Sequence, residues 1–266
     1  MRFVVGLFLS FVIATAARAD LLHEVDVELF LAVDVSRSMS VGELELQRRG
    51  YAEALSSEAV AQAVANGLIG QVAITYVEWA GSYSQRVVVP WTLVETSDDL
   101  QRFADQLVNE FSTSLRRTSI SGALLYAAES FEDNSYHGLR RVIDVSGDGP
   151  NNQGRPVLRA REAVLDKGFI VNGLPLMTRE GIGGQFHLDD LDLYYEACVI
   201  GGPGSFVIPV RNWEEFAQAV RRKLVLEIAA VPPPLVWRAQ SRVRPDYDCL
   251  IGEKIWERMQ RDWGVP

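Results

Sequence analysis

The strongest constraint on this chain's fold is a short run, ELFLAVD, Glu28 to Asp34. Its apolar side chains follow one another without alternation and stop at an acid. A strand that alternates has a wet face and a dry face; one that does not is buried on both. Strands of that kind belong to parallel sheets covered by helices on either side. Comparable runs recur at QVAITYVEWA (71–80), QRVVVPWTLV (85–94), RRVIDVS (140–146), FIVNGLPL (169–176) and GSFVIPV (204–210). Between them lie amphipathic stretches that predict helices over 41–66, 97–111, 119–131, 155–168 and 212–230. Strands alternating with helices predict an α/β fold: a doubly wound, mainly parallel sheet with helices on both faces. The link Gly81-Ser82-Tyr83-Ser84 suits an antiparallel hairpin, and Pro90, which has no donor for a ladder, puts the second of those strands at an edge.

The two ends of the chain read differently from its middle. Arg2, the apolar block Phe3 to Ala14 and Ala17-Arg18-Ala19 have the layout of a secretory signal peptide over 1–19, with cleavage before Asp20. The rival, a retained membrane anchor, would need a longer apolar block. Residues 20–230 are expected to form one domain. Pro232-Pro233-Pro234 then opens a polar and aromatic extension, 231–266, with Trp237, Tyr247, Trp256 and Trp263, expected to pack on that domain. Cys198 and Cys249, an even pair in an exported chain, predict a disulfide tying the extension back; two separate thiols are the alternative. Export would leave 24 basic against 35 acidic residues, a net charge of −11. Such a surface repels phosphate backbones and argues against nucleic acid as a partner. The expected location is periplasmic or secreted.

Past the end of the first strand, Asp34, Ser36 and Ser38 fall at every second position, so an extended chain aims all three oxygens to one side. The carboxyl edge of a doubly wound sheet is where ligands sit. One carboxylate and two hydroxyls without a base make a poor nucleophile set, but a good partial shell for a hard divalent cation. Ser40 is placed to cap the next helix, with Glu43 completing a capping box. Gly147-Asp148-Gly149 puts another acid at a strand end; an Asp-Gly turn is the plain alternative, but the position, equivalent to Asp34 on another strand, favours a metal ligand. Asp144 lies inside that strand, where a carboxylate would need a partner. In STSLRRTSISGALLYAA either Thr118 or Ser119 could cap the helix, or Thr118 could turn its hydroxyl to the cation.

DVSRSMS, RTSISGAL and VIDVSGDG, in that order, resemble the von Willebrand factor A (VWA) fold with its metal-ion-dependent adhesion site (MIDAS). The resemblance covers about residues 25 to 230, and the chain looks like a group of exported bacterial VWA-like proteins of unassigned function. It implies a metal set of Asp34, Ser36, Ser38, Thr118 and Asp148, with Mg²⁺ as the ion and Mn²⁺ as an alternative. It further implies direct ligation by Ser36, Ser38 and, in one state, Thr118, with Asp34 and Asp148 acting largely through water. A partner protein's Asp or Glu would complete the shell. Many members carry glycines before the Thr, where this chain has Arg116-Arg117.

The expected function is therefore a non-enzymatic, metal-dependent protein-binding module. The alternative is a metal-dependent phosphohydrolase with Asp34 at its active site. Such enzymes usually want a second acid two residues on, and here Ser36 stands there. No GxSxG, HExxH or Cys/His cluster occurs. His23, His137 and His187 read as loop residues, Gly201-Gly202-Pro203-Gly204 as a tight turn, and Trp79 and Trp91 as packing. Gly181, Gly183, Gly184, Asp189, Asp190 and Asp192 read as a solvated acidic loop, with a second cation site as the lesser reading.

Overall fold

A computed structural model describes residues 22–110, 113–178, 188–229 and 247–263. Five strands form one sheet: β1 (His23–Asp34), β2 (Val72–Trp79), β3 (Gln85–Val94), β4 (Tyr136–Gly147) and β5 (Ile170–Pro175). Their spatial order is β3-β2-β1-β4-β5, with only β2 and β3 antiparallel. This is the mainly parallel sheet with one antiparallel edge strand that the sequence predicts. Helices α1 (Val41–Leu55), α2 (Glu58–Ala65), α3 (Ser97–Asn109) and α7 (Phe216–Ile228) cover one face; α4 (Ile120–Glu132) and α5 (Val157–Leu165) cover the other. A short helix α6 (Leu191–Tyr194) continues into a wider turn at Tyr195–Val199, and α8 (Ile251–Trp263) follows Cys249. Trp79 is buried, and half-buried Trp91 donates to the Ser130 carbonyl and hydroxyl, so both serve packing.

β1 starts five residues before the apolar run does, because its early acids have partners. Asp26 accepts backbone N–H groups of Ile69, Gly70 and Gln71; Glu28 accepts Gly138 N and Asn134 Nδ2. His23 and His137, expected in loops, lie in β1 and β4 instead, and His23 Nε2 sits 2.7 Å from Gln71 Oε1. His187 and Gly181 to Gly184 lie outside the described residues, as do positions 1–21 with the expected signal peptide.

Two further expectations are corrected. The single helix expected over 41–66 breaks at Ser56-Ser57. There the hydroxyls donate to Ala52 O (2.9 Å) and Ala54 O (2.6 Å), competing for the carbonyls that would continue the helix. The strand expected at 204–210 makes only isolated pairings beside β5, at Val207 and Val210, and Pro209 has no N–H to continue a ladder. The glycine turn before it is as expected, with Gly202 and Gly204 at φ +92° and +76°. The Cys198–Cys249 disulfide is present and closes a separation of 51 residues. Limiting the unfolded chain in that way is worth about 4 kcal/mol in the chain-entropy account.

Asp144, the acid inside β4, has its partner on α7. Lys223 is fully buried, lies 2.6 Å from Asp144 Oδ1, and also pairs with Glu227. One cation between two carboxylates leaves one of them better off protonated. Burial pushes Glu227 up to about 7 against the pull of Lys223, and the Asp144 charge adds to the rise. Lys223→Met should therefore strand two buried acids and cost about 3–5 kcal/mol in urea unfolding at neutral pH. The Glu227 proton stabilises the fold fully below its ordinary value of 4.5, and that contribution is lost as pH rises through about 7. Glu227→Gln should thus gain stability relative to the wild type between pH of about 5 and about 8. A difference that stays constant over that range would contradict this assignment of the proton.

Candidate metal centre

The chain moves outward from β1 in both directions, to β2 on one side and to β4 on the other. The crevice between the carboxyl ends of β1 and β4 is therefore the switch point of the sheet. Asp34 ends β1 there. Its Oδ1 accepts the Ser36 N–H at 2.7 Å, a tight local turn that brings the Ser36 hydroxyl round beside it. Ser36 Oγ lies 2.9 Å from Ser38 Oγ, and Ser38 Oγ donates to Asp148 Oδ1 at 2.7 Å. Asp148 follows the end of β4, so four residues from two strand exits form one connected set. Gln47 of α1 fixes the turn from behind, donating to the Asp34 carbonyl at 2.9 Å. The Ser40–Glu43 capping box is formed as predicted.

Thr118 approaches from a third loop. Leu115 N donates to Val35 O (2.9 Å), laying this loop along the β1 exit. Thr118 N donates to Asn152 Oδ1 and Asn152 N to Thr118 O, laying it along the β4 exit as well. Ser119, not Thr118, caps α4 by accepting from Gly122 N, so the Thr118 hydroxyl is not committed to the cap. That hydroxyl makes no hydrogen bond to the other four side chains. Arg117, just before it, has φ +78°, the one positive φ outside glycine among the described residues. Holding an arginine there costs about 1–3 kcal/mol.

The electrostatics of the crevice are those of a site short of positive charge. Asp34 is fully buried, and its Oδ2 has no hydrogen-bond partner. Burial first, and then the Asp148 charge, push its carboxyl well above the usual range, against the donated bond from Ser36. Asp148 is pushed up to about 6, chiefly by burial, with Ser38 opposing and Glu43 adding to the rise. The donors are all oxygen, as a hard cation prefers. Among the described residues no group of three or more His, Cys, Asp or Glu side chains is placed to hold a metal. Any ion here would rest on two acids and on hydroxyls, so the set fits a weakly neutralised divalent cation and not a tightly caged one.

Sequence reasoning read Glu43 as a cap alone. Its carboxylate also accepts from Trp213 Nε1 (3.4 Å), and its charge reaches Asp148. Tyr195, whose buried hydroxyl has no partner, was missed, and an apolar stretch gave no sign of it. Asn151 and Asn152 were missed too, although the polar run PNNQ after the third motif offered a signal. The acids at 189, 190 and 192 lead into or lie in α6, and Asp192 pairs with Arg211 at 3.6 Å.

A model of the DUF1194 family, described as a protein of unknown function, matches residues 24–232, and the chain belongs to that family. No curated protein matches it. Solved structures of VWA type share its fold. Proximal thread matrix protein 1 (PTMP1) from the mussel byssus is 15% identical with a TM-score of 0.55, over 78% of this chain and 49% of that one. The chain thus spans about half the length of that protein. BatB from Bacteroides thetaiotaomicron is 20% identical with a TM-score of 0.52, over 77% of this chain and 100% of that one. A von Willebrand factor type A protein from Catenulispora acidiphila is 17% identical with a TM-score of 0.53, over 77% and 43%. PTMP1 is also known with a zinc-occupied MIDAS motif. At these identities the likeness establishes the fold.

Gly147 is the contact that lets the two strand exits close on each other. A Cβ there would lie 2.9 Å from Asp34 Oδ2 and 3.0 Å from the Tyr195 hydroxyl. Gly147→Ala should displace the Asp34 carboxylate and cost about 1–3 kcal/mol in urea unfolding. Gly149→Ala, which meets nothing within 4 Å, should stay within about 0.5 kcal/mol of the wild type.

Proposed function

We propose that this DUF1194 protein is a metal-dependent protein-interaction module. In this reading Asp34, Ser36, Ser38, Asp148 and Thr118 hold a divalent cation at the β1/β4 switch point, and a partner's Asp or Glu completes its shell. The observation that carries the reading is the buried, unpartnered Asp34 Oδ2, on a carboxylate joined to that of Asp148 through the Ser36 N–H and the Ser36 and Ser38 hydroxyls. Two acids so placed repel each other and lack a counter-ion. When bound, the cation would supply positive charge and an open coordination position for a carboxylate.

The protein's own groups do the rest. Asp34 and Asp148 set the charge, and the serines add neutral oxygens without cancelling more of it. Such a site retains attraction for an anionic ligand, because few protein charges offset the ion. The ion we propose is Mg²⁺ or Mn²⁺, and the zinc-occupied PTMP1 makes Zn²⁺ a third to include. The phosphohydrolase alternative is less well supported. Ser36, where a second acid would serve as general acid/base, donates its N–H to Asp34 and lies against Ser38. We also propose that residues 20–230 form the domain, that 231–266 extend it, and that the protein works outside the cytoplasm. The disulfide supports that location, and no described helix is long and apolar enough to cross a membrane.

The test is a thermal melt in chelator, then in Mg²⁺, Mn²⁺ or Zn²⁺, each with and without acetate as a stand-in for the partner carboxylate. A Ser36→Ala/Ser38→Ala variant runs alongside. At metal about 100-fold above Kd the wild type should gain about 5–10 °C and the variant should not. No gain in the wild type even with acetate, or an equal gain in the variant, would overturn the ligand assignment. Asp34-dependent hydrolysis of a generic phosphate ester would favour the alternative.

A further inference from the structure

The C-terminal helix does more than lie against the domain. The Trp256 ring sits under the Arg117 guanidinium, 3.5 Å from ring centroid to Cζ. Glu253 Oε1 accepts from Asn151 Nδ2 at 2.7 Å. Asn151 Oδ1 in turn accepts Ser121 N (3.0 Å) at the start of α4, and Asn151 N donates to the Tyr194 hydroxyl (3.1 Å). Gly252 lies so close to Asn151 that a Cβ would fall 2.1 Å from its carbonyl oxygen. Cys249, two residues before α8, is bonded to Cys198 beneath it, and Tyr247 packs edge-on to Tyr194 with centroids 6.0 Å apart. One helix thus touches both loops that flank Thr118, on the side where Arg117 is strained.

We propose that α8, anchored by the Cys198–Cys249 disulfide, is a positioning element for Thr118, with Trp256 and Glu253 clamping Arg117 and Asn151 so that the 115–119 loop keeps its place at the switch point. The reasoning turns on Arg117. A positive φ suits glycine, and an arginine persists there only if its surroundings over-determine it. Trp256 covers its guanidinium, and a guanidinium over an indole is an attractive contact. Glu253 supports the neighbouring loop: Asn151 and Asn152 are consecutive, and Asn152 holds the Thr118 backbone from both sides. The link from this clamp to cation binding rests on the metal-dependent reading above.

The amides of Leu115, Thr118 and Ser119, each hydrogen-bonded to a neighbouring element, report on the loop directly. Their hydrogen exchange would be measured in chelator for the wild type, Trp256→Ala, Gly252→Ala and Arg117→Gly, with the metal dependence of melting alongside. Trp256→Ala and Gly252→Ala should speed exchange at these amides by about tenfold and raise the half-maximal metal concentration by a similar factor. In an Arg117→Gly background, where glycine accepts the φ unaided, Trp256→Ala should add little to either readout. Wild-type exchange in both α8 variants would overturn the clamp. So would an equal effect of Trp256→Ala with and without Arg117. Accelerated exchange with unchanged metal dependence would keep the clamp and break its link to the ion. A wild type without metal response would sink the metal reading, while the exchange data still decided the clamp.

Discussion

The parallel pairing of β1 with β4 is the constraint on which the rest depends. In that register Leu31 faces Asp144 and Val33 faces Ser146, so the two strands leave the sheet side by side. The pairing brings Ser38 and Asp148, residues more than a hundred positions apart, within hydrogen-bond reach. Its carboxyl half, Leu29–Val33 against Val142–Ser146, is buried on both faces, so a slipped register would disturb packing on each side of the sheet. Gly147 then removes the one side chain that would keep the exits apart.

Around the carboxyl ends of β1 and β4 the protein handles buried acid in two ways. Asp144 has a cation built in, Lys223, and shares it with Glu227. Asp34 and Asp148, at the strand ends, have only hydroxyls and backbone N–H groups between them. Hydroxyls and amides are dipoles and cannot neutralise two charges. The contrast is local, Asp144 within β4 against Asp148 just past its end, so it is not a matter of general acidity. One carboxylate is settled within the fold; the others are left without a built-in cation at the switch point, Asp34 fully buried and Asp148 half-buried.

Much of this was legible in the sequence because it is written in local terms. The uninterrupted run Leu29 to Val33 requires double burial, and Pro90 requires an edge. Ser40 and Glu43 spell out their capping box, and two cysteines in a chain read as exported were expected to pair. Asp34, Ser36 and Ser38 were expected together from extended-chain geometry, but β1 ends at Asp34 and a turn, with Ser36 N on Asp34 Oδ1 and Met39 N on Ser36 O, gathers them instead. Asp148 joins them through tertiary contacts that the sheet order makes possible. What the sequence hid depends on distant partners. Lys223 as the counter-ion of Asp144 required knowing which helix covers which strand. The break at Ser56-Ser57 turned on side-chain hydroxyls outcompeting an amphipathic pattern, and the failed strand at 204–210 on Pro209 outweighing β-branched neighbours. Tyr195 could not be told from an ordinary core aromatic until the chain was folded.

The disulfide has a consequence for how α8 behaves in dilute surroundings. A helix whose contacts with its docking site include one stacked arginine and one side-chain hydrogen bond would dissociate readily if it were a separate peptide. Joined covalently at Cys249, it meets that site at an effective concentration on the order of millimolar, whatever the concentration of the protein. Contacts too weak to assemble a complex between molecules can then persist within one. The helix behaves as a ligand that is always present, and its occupancy is set by the tether and not by supply.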